Sequence, residues 1–297
     1  MRTTFDIAAL RMIVTGAELG SFARAAARLG RSQSAVSMQL KKLEEQTGKT
    51  LFRKSGRGLV PTEAGDALLA YARRIIALND EAAASLGASP AATVRLGLPQ
   101  DFAEDVLPEV ILRFAKKWPL VQVEAHAGRN YALWQDVESG RLDVAIAFVP
   151  SGSPGPGMPV ATLPLLWLGG RKLDGAGAVP LALFDHPCLF RQHALEALET
   201  QGPEWRLALT TPSLPGVWAA LRSGLGVTVR TPHRIPAGIA DVRRKLGLPP
   251  LPRVEVRLFA GNALSPAAAD LRDVLQAVVQ LQLKGAQLKG PRIKGRG

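Results

Sequence analysis

Ser21-Phe22-Ala23-Arg24-Ala25-Ala26-Ala27-Arg28-Leu29-Gly30-Arg31-Ser32-Gln33-Ser34-Ala35-Val36-Ser37 is the stretch that decides the architecture. Phe22, Ala25, Ala26 and Leu29 fall at i, i+3, i+4 and i+7, the period of a helix packed on one side, and Ser21 stands where a hydroxyl can cap its first turn. Gly30-Arg31-Ser32 interrupts the pattern, with glycine where a helix end favours a left-handed residue and Ser32 ready to cap the next helix. That third helix, from about Gln33 to Gln46, buries Val36, Leu40 and Leu43. A first helix precedes the pair between Asp6 and Thr15, on Ala9, Leu10, Ile13 and Val14. Two capped helices joined by a short glycine-bearing turn form a helix-turn-helix.

The outer face of the third helix carries Gln33, Ser34, Ser37, Met38, Lys41 and Lys42. Short polar groups can bond to base edges or phosphates and lysines neutralise phosphates, so this face suits the major groove of double-stranded DNA. Polarity alone favours an ordinary solvated face; the capped helices and short glycine-bearing turn before it reverse that reading. Ser21 and Ser32, the two caps, lie at the same surface. Next, Thr50-Leu51-Phe52-Arg53 and Gly58-Leu59-Val60-Pro61 flank Lys54-Ser55-Gly56-Arg57 and read as two strands with a basic hairpin turn, a wing whose Arg53, Lys54 and Arg57 would lie along the minor groove or backbone. The first 60 residues hold eleven basic side chains against four acidic ones, +7 of the net +12 of all 297 residues. A polyanionic partner fits this distribution.

The ordered run Gly20 to Ala26, Ser32 to Ser37, Leu43-Glu44-Glu45, Gly48, Leu51-Phe52 and Thr62-Glu63-Ala64-Gly65 resembles the signature of LysR-type transcriptional regulators. The resemblance implies that the helix bearing Gln33, Ser34, Ser37 and Lys42 reads the major groove, with Arg53 and Arg57 serving the wing. Ser34, Met38, Lys54 and Pro61 depart from the residues frequent at their positions, which bears on the DNA sequence preferred.

Thr62 can cap a long helix with Glu63 and Asp66 in its first turn. Ala64, Leu68, Tyr71, Ile75, Leu78 and Ala82 then follow at heptad steps, a seam for a second copy, with Leu68, Tyr71, Ile75 and Leu78 as its expected dimerisation residues. Packing of the same stripe on the chain's own domain is the alternative. A two-fold pair also supplies two half-sites, and the resemblance implies homodimers, often associated into homotetramers.

From Thr93 apolar strands alternate with helices, which predicts a largely parallel sheet. Strands are expected at 93–98, 121–125 and 142–148, with helices at 101–117 and 130–139. After the Pro/Gly-rich stretch 150–159 a second set begins, with strands at 163–168, 180–184, 205–210 and 226–230 and helices at 189–200 and 213–222. A strand at 252–260 leads back, and a helix at 266–283 closes the first half. Two lobes crossed twice by the chain enclose a hinged cleft, and ligands of such sheets sit at the carboxyl ends of strands. Leu96-Gly97, Leu107-Pro108, Trp118-Pro119, Gly140 to Ile146 and Ser223 to Val227 extend the LysR resemblance to its effector domain, which is similar to periplasmic binding proteins. By that resemblance Pro99, Gln100, Gly128, Arg129, Phe148, Pro187, Cys188 and Ser213 face a small-molecule effector. Gln100 and Arg129 are suited to a carboxylate or other polar ligand.

The expected architecture is thus an α+β multidomain chain: a winged helix-turn-helix at 1–61, a linker and dimerisation helix at 62–86, a hinge at 87–92, and a two-lobed α/β effector-binding domain at 93–283. Lobe I takes 93–161 and 262–283, lobe II takes 162–261, and 284–297 form a disordered basic tail. The function expected is sequence-specific binding of promoter DNA in response to an effector. A nonspecific chromosome-organising protein is the alternative, and a solute-binding module with a basic head a further rival. No catalysis is indicated, because no nucleotide-binding glycine loop and no serine elbow follows any strand. No cofactor and no metal are expected: His186, Cys188 and His193 are close in sequence but lack further ligands. Cys188 beside Arg191 reads first as a buried apolar residue and second as an activated thiol. One cysteine, no run of about 18 apolar residues and no signal-peptide core lead us to expect a cytoplasmic protein away from membranes.

Overall fold

The computed structural model describes residues 4–55, 58–85, 93–173, 177–262 and 264–288. The expected hinge at 87–92, Arg57 of the wing and the last nine residues of the chain lie outside these.

The head is built from α1 (Ile7–Leu19), α2 (Phe22–Arg28), α3 (Gln33–Thr47) and the antiparallel pair β1 (Phe52–Ser55) and β2 (Gly58–Pro61). Each helix starts where its cap residue stands. The N–H of Ala9 donates to Asp6 Oδ1 at 2.9 Å, that of Arg24 to Ser21 Oγ at 3.4 Å, and that of Ala35 to Ser32 Oγ at 3.2 Å. Helix α1 runs one turn past the expected Thr15. Gly16, inside the longer helix, is a close contact: a Cβ there would sit 2.2 Å from the ring of Phe22. Phe22 in turn meets Phe52 edge to face at 4.9 Å, so one aromatic pair joins α2 to the wing. Leu10, Ile13, Ala26, Val36, Leu43 and Leu51 complete this small core, with Leu40 half-buried at its margin.

Thr62 caps α4 (Glu63–Ser85), its Oγ1 accepting from the N–H of Gly65 at 3.1 Å and donating to Thr50 O at 2.7 Å. Gly65 approaches the wing so closely that a Cβ would lie 2.0 Å from Leu51 O. The expected dimer seam is divided by this packing. Leu68 is buried, together with Leu69 and Ala72, against the head, so it belongs to the protomer's own core and not to a seam. Tyr71 and Leu78 are 61% and 67% exposed and Ile75 is 37% exposed, on a face turned away from the head.

Lobe I contains β3 (Thr93–Pro99), a 3-10 turn (Gln100–Phe102), α5 (Val106–Lys117), β4 (Gln122–Gly128), α6 (Asn130–Glu138), β5 (Val144–Pro150) and β6 (Met158–Pro164). Lobe II contains β7 (Leu166–Gly170), β8 (Val179–Phe184), α7 (Leu189–Gln201), β9 (Trp205–Thr211), α8 (Leu214–Ser223), β10 (Val227–Arg230) and β11 (Ile239–Asp241). The chain then returns through β12 (Arg253–Ala260) and α9 (Pro266–Leu288). The two sheets share one plan. In lobe I the order is β4-β3-β5-β12-β6, with β4, β3 and β5 parallel and the other two pairings antiparallel; in lobe II it is β11-β7-β10-β8-β9, with β10, β8 and β9 parallel.

Three expectations change. The sheets are mixed, because each lobe receives a strand returning from the other side. Strand β12 lies between β5 and β6 in the lobe I sheet, so the chain recrosses before Arg253 and residues 253–261 leave lobe II; β6 likewise keeps lobe I going to Pro164. Helix α9 continues over 284–288, where a tail was expected, since one internal glycine costs a helix only about 1 kcal/mol.

Arg73 of α4 joins linker and lobe I, Nη1 donating to Ser139 O at 3.0 Å. Burial lowers the pKa of its guanidinium, with Glu18 opposing.

Candidate DNA-reading face and ligand cleft

Gln33, Ser34, Ser37, Met38, Lys41 and Lys42 are all exposed along α3, and Met38 is 71% so. Among these polar groups Ser34 is partly engaged: its Oγ lies 3.0 Å from that of the cap residue Ser32. Lys41 stands 3.9 Å from Glu45, an exposed pair that water and salt screen. Ser21 is half-buried, its oxygen taken up by the α2 cap. Arg53 and Lys54 are exposed on β1. Two groups that the sequence did not single out as tied to this face fix its position. Glu44 Oε1 accepts the N–H of Leu51 at 2.7 Å, linking α3 to the wing, and Arg11 pairs with Asp80, linking α1 to α4.

Between the lobes lies a cavity of about 460 Å³, formed where the parallel strands of both sheets end. Pro99, Gln100, Gly128, Arg129, Phe148, Pro187 and Cys188 all line it. Ser213 does not, because its hydroxyl turns to the N–H of Gly216 at 3.3 Å and caps α8. A larger groove, about 1530 Å³, separates α4 from lobe I but touches none of these strand ends.

Several cleft residues work across the gap. Gln100 of lobe I donates to Pro212 O at 3.1 Å and accepts from the N–H of Leu214 at 2.8 Å. Arg129 pairs with Asp185 of lobe II at 2.7 Å and reaches His186 O at 3.3 Å. Cys188 begins α7 without a side-chain cap bond and is half-buried, while Arg191 Nη1 is spent on Phe184 O at 3.1 Å.

Two further bridges were not anticipated. Arg230, the last residue of β10, lies 3.7 Å from Asp101, and His233 Nε2 lies 2.9 Å from Asp105 Oδ2, with all four side chains nearly buried. Burial by itself would raise the Asp105 pKa, but the hydrogen bond and charge of His233 and the N–H of Val106 outweigh it, so the carboxyl falls below its ordinary value. Arg230 could have been found from the sequence. It ends the expected strand 226–230 after two valines, a basic residue at the carboxyl end of a core strand. Phe148 and Phe190 line the cavity with ring centroids 5.0 Å apart, and the buried Phe102 stacks behind Phe148 at 5.3 Å. Among the described residues no group of three or more His, Cys, Asp or Glu side chains converges as metal ligands, and no helix is long and apolar enough to cross a membrane.

Comparison with known proteins matches residues 7–66 to the family described as bacterial regulatory helix-turn-helix protein, lysR family, and residues 87–280 to the LysR substrate binding domain. The chain is 37% identical over 282 residues to the HTH-type transcriptional regulator DgdR of Burkholderia cepacia, covering 94% of this chain and 96% of that one. It is 34% identical over 250 residues to the HTH-type transcriptional regulator PecT of Dickeya dadantii (strain 3937), covering 83% and 79%. Among solved structures, ArgP from Mycobacterium tuberculosis superposes with a TM-score of 0.72 over 93% of this chain and 97% of that one, at 22% identity, a likeness of fold.

Proposed function

The chain belongs to the LysR family of DNA-binding transcriptional regulators, and from that premise we propose which of its surfaces do the regulating. Helix α3 enters the major groove with Gln33, Ser34, Ser37 and Lys42 toward bases and phosphates, and Arg53, Lys54 and Arg57 accompany the neighbouring backbone. The observation that carries this is the exposed face of α3, polar but for Met38 and tied to the wing by the Glu44–Leu51 bond. A second copy docks on Tyr71, Ile75 and Leu78, giving a homodimer that can pair into a homotetramer and reads two half-sites. The work is done on promoter DNA in the cytoplasm.

A small-molecule effector occupies the cleft between the lobes. Its presence changes the relative placement of the heads to the extent that it binds the two arrangements unequally. The bridges from Gln100, Arg129, Arg230 and His233 are the contacts such a shift would rearrange. Genomic footprinting of the purified protein tests the proposal. Discrete protected sites in promoters are expected, and protection spread without sequence preference would refute it.

A further inference from the structure

Resting on the cleft as the effector site, we infer that its ligand is an apolar monocarboxylate, and that the ligand's carboxylate takes Arg230 away from Asp101. The three arginines lining the cavity are not equally occupied. Arg129 is bound to Asp185 and His186 O, and Arg191 to Phe184 O. Arg230 is 95% buried, yet among the described residues its Nε has no hydrogen-bond partner, and its acidic neighbour Asp101 stands at 3.7 Å, beyond the 2.7–2.9 Å of a well-made charged hydrogen bond. Its guanidinium instead lies over Phe184, 4.1 Å from the ring centroid, and 5.2 Å from that of Phe190. A buried donor left open is costly, and a planar two-oxygen acceptor is what its fork fits.

The rest of the cavity limits the ligand. Tyr131, Trp134, Phe148, Phe190 and Leu195 offer an apolar wall, and about 460 Å³ is within the range of small-molecule sites. Asp101, Glu196 and Glu199 also line it, so a dianion such as a phosphate ester would meet more repulsion than one open arginine offsets. Asp101 belongs to lobe I and Arg230 to lobe II. A carboxylate on Arg230 therefore exchanges a long ion pair between lobes for a contact made through the ligand, which joins occupancy to lobe placement.

The test uses the full-length protein at pH 7 and follows thermal unfolding and calorimetric titration with benzoate, phenylacetate and 3-methylbutanoate, each beside its carboxamide. At least one carboxylate is expected to bind where its amide does not. Arg230→Met should weaken that binding by about tenfold to a hundredfold, the share of a charged hydrogen bond. Asp101→Asn should strengthen it, because the competing carboxylate is gone. Arg230→Lys retains the charge in case the methionine variant fails to fold, and should bind with intermediate affinity. Amides that bind as well as acids, with binding lost in Phe190→Ala but not in Arg230→Met, would leave the cleft as the site and overturn the carboxylate. Carboxylate binding untouched by Arg230→Met and by Phe190→Ala would overturn the cleft itself. Silence from all six probes overturns the inference, and unchanged affinity in Asp101→Asn overturns the exchange.

Discussion

Glu44 of α3 accepts the N–H of Leu51 at 2.7 Å, so the helix we propose to read DNA and the wing beside it share one charged hydrogen bond. Glu44→Ala leaves that N–H, on a residue with a buried side chain, without its partner. We expect a loss of about 1–3 kcal/mol in head stability and a further loss of DNA affinity as the wing loosens. Chemical denaturation beside gel shifts measures both. Equal stability and equal affinity would show that the Phe22–Phe52 contact and the bonds from Thr62 position the wing without Glu44.

Gly65 is confined by the carbonyl of Leu51, a backbone atom that also receives the N–H of Thr62 at 3.0 Å. Gly65→Ala forces the junction of wing and linker apart and should destabilise it by about 1–3 kcal/mol. Hydrogen exchange over residues 50–66 should quicken; exchange at the native rate would mean the junction yields without cost.

The two kinds of residue on α3 separate by salt dependence. Lys42→Ala should weaken binding to every sequence alike and reduce the salt slope by about one, as expected for a phosphate contact. Ser37→Ala should leave the slope and lower discrimination at one base position. The reverse assignment in titrations from 50 to 200 mM salt, a range over which phosphate contacts are strongly screened, would exchange their roles.

Most of the head was legible in the sequence, because capped helices with one buried face carry their own punctuation in Ser21, Ser32 and Thr62. The linker was only half legible. Its heptad residues are apolar for two reasons, Leu68 because it faces α1 and the head core, and Tyr71, Ile75 and Leu78 because they face outward; spacing does not distinguish these. The cleft follows the strand ends, and seven of its eight expected residues line it. What stayed hidden were pairings across the lobes, such as Asp101 with Arg230 and Asp105 with His233, which unite residues more than a hundred positions apart.

That division yields its own prediction. Leu78→Glu and Tyr71→Glu should shift the oligomer toward monomer in sedimentation while leaving the head folded. Leu68→Ala should lower head stability by about 2–5 kcal/mol and leave the oligomer in place. Dissociation by Leu68→Ala with undiminished stability would restore it to a seam.

The lowered pKa of Asp105 sets a pH dependence. Its contribution to stability is complete above the ordinary carboxylate value of 3.8 and is lost as pH falls through the lower value of the folded protein. Asp105→Asn should therefore make the acid limb of the stability curve shallower, leaving the part due to the other carboxyls. An acid limb as steep as in the native chain would assign the loss to other carboxyls.

Selection from a pool of random duplexes at about 150 mM salt, a physiological ionic strength, measures whether α3 reads DNA sequence. Convergence on an imperfect palindrome with half-sites about one helical turn, or a multiple of it, apart is expected, with a changed half-site in Ser37→Ala. A pool that stays random after repeated rounds, while the protein still binds DNA, would contradict sequence reading by α3 and leave a nonspecific DNA-binding protein in its place.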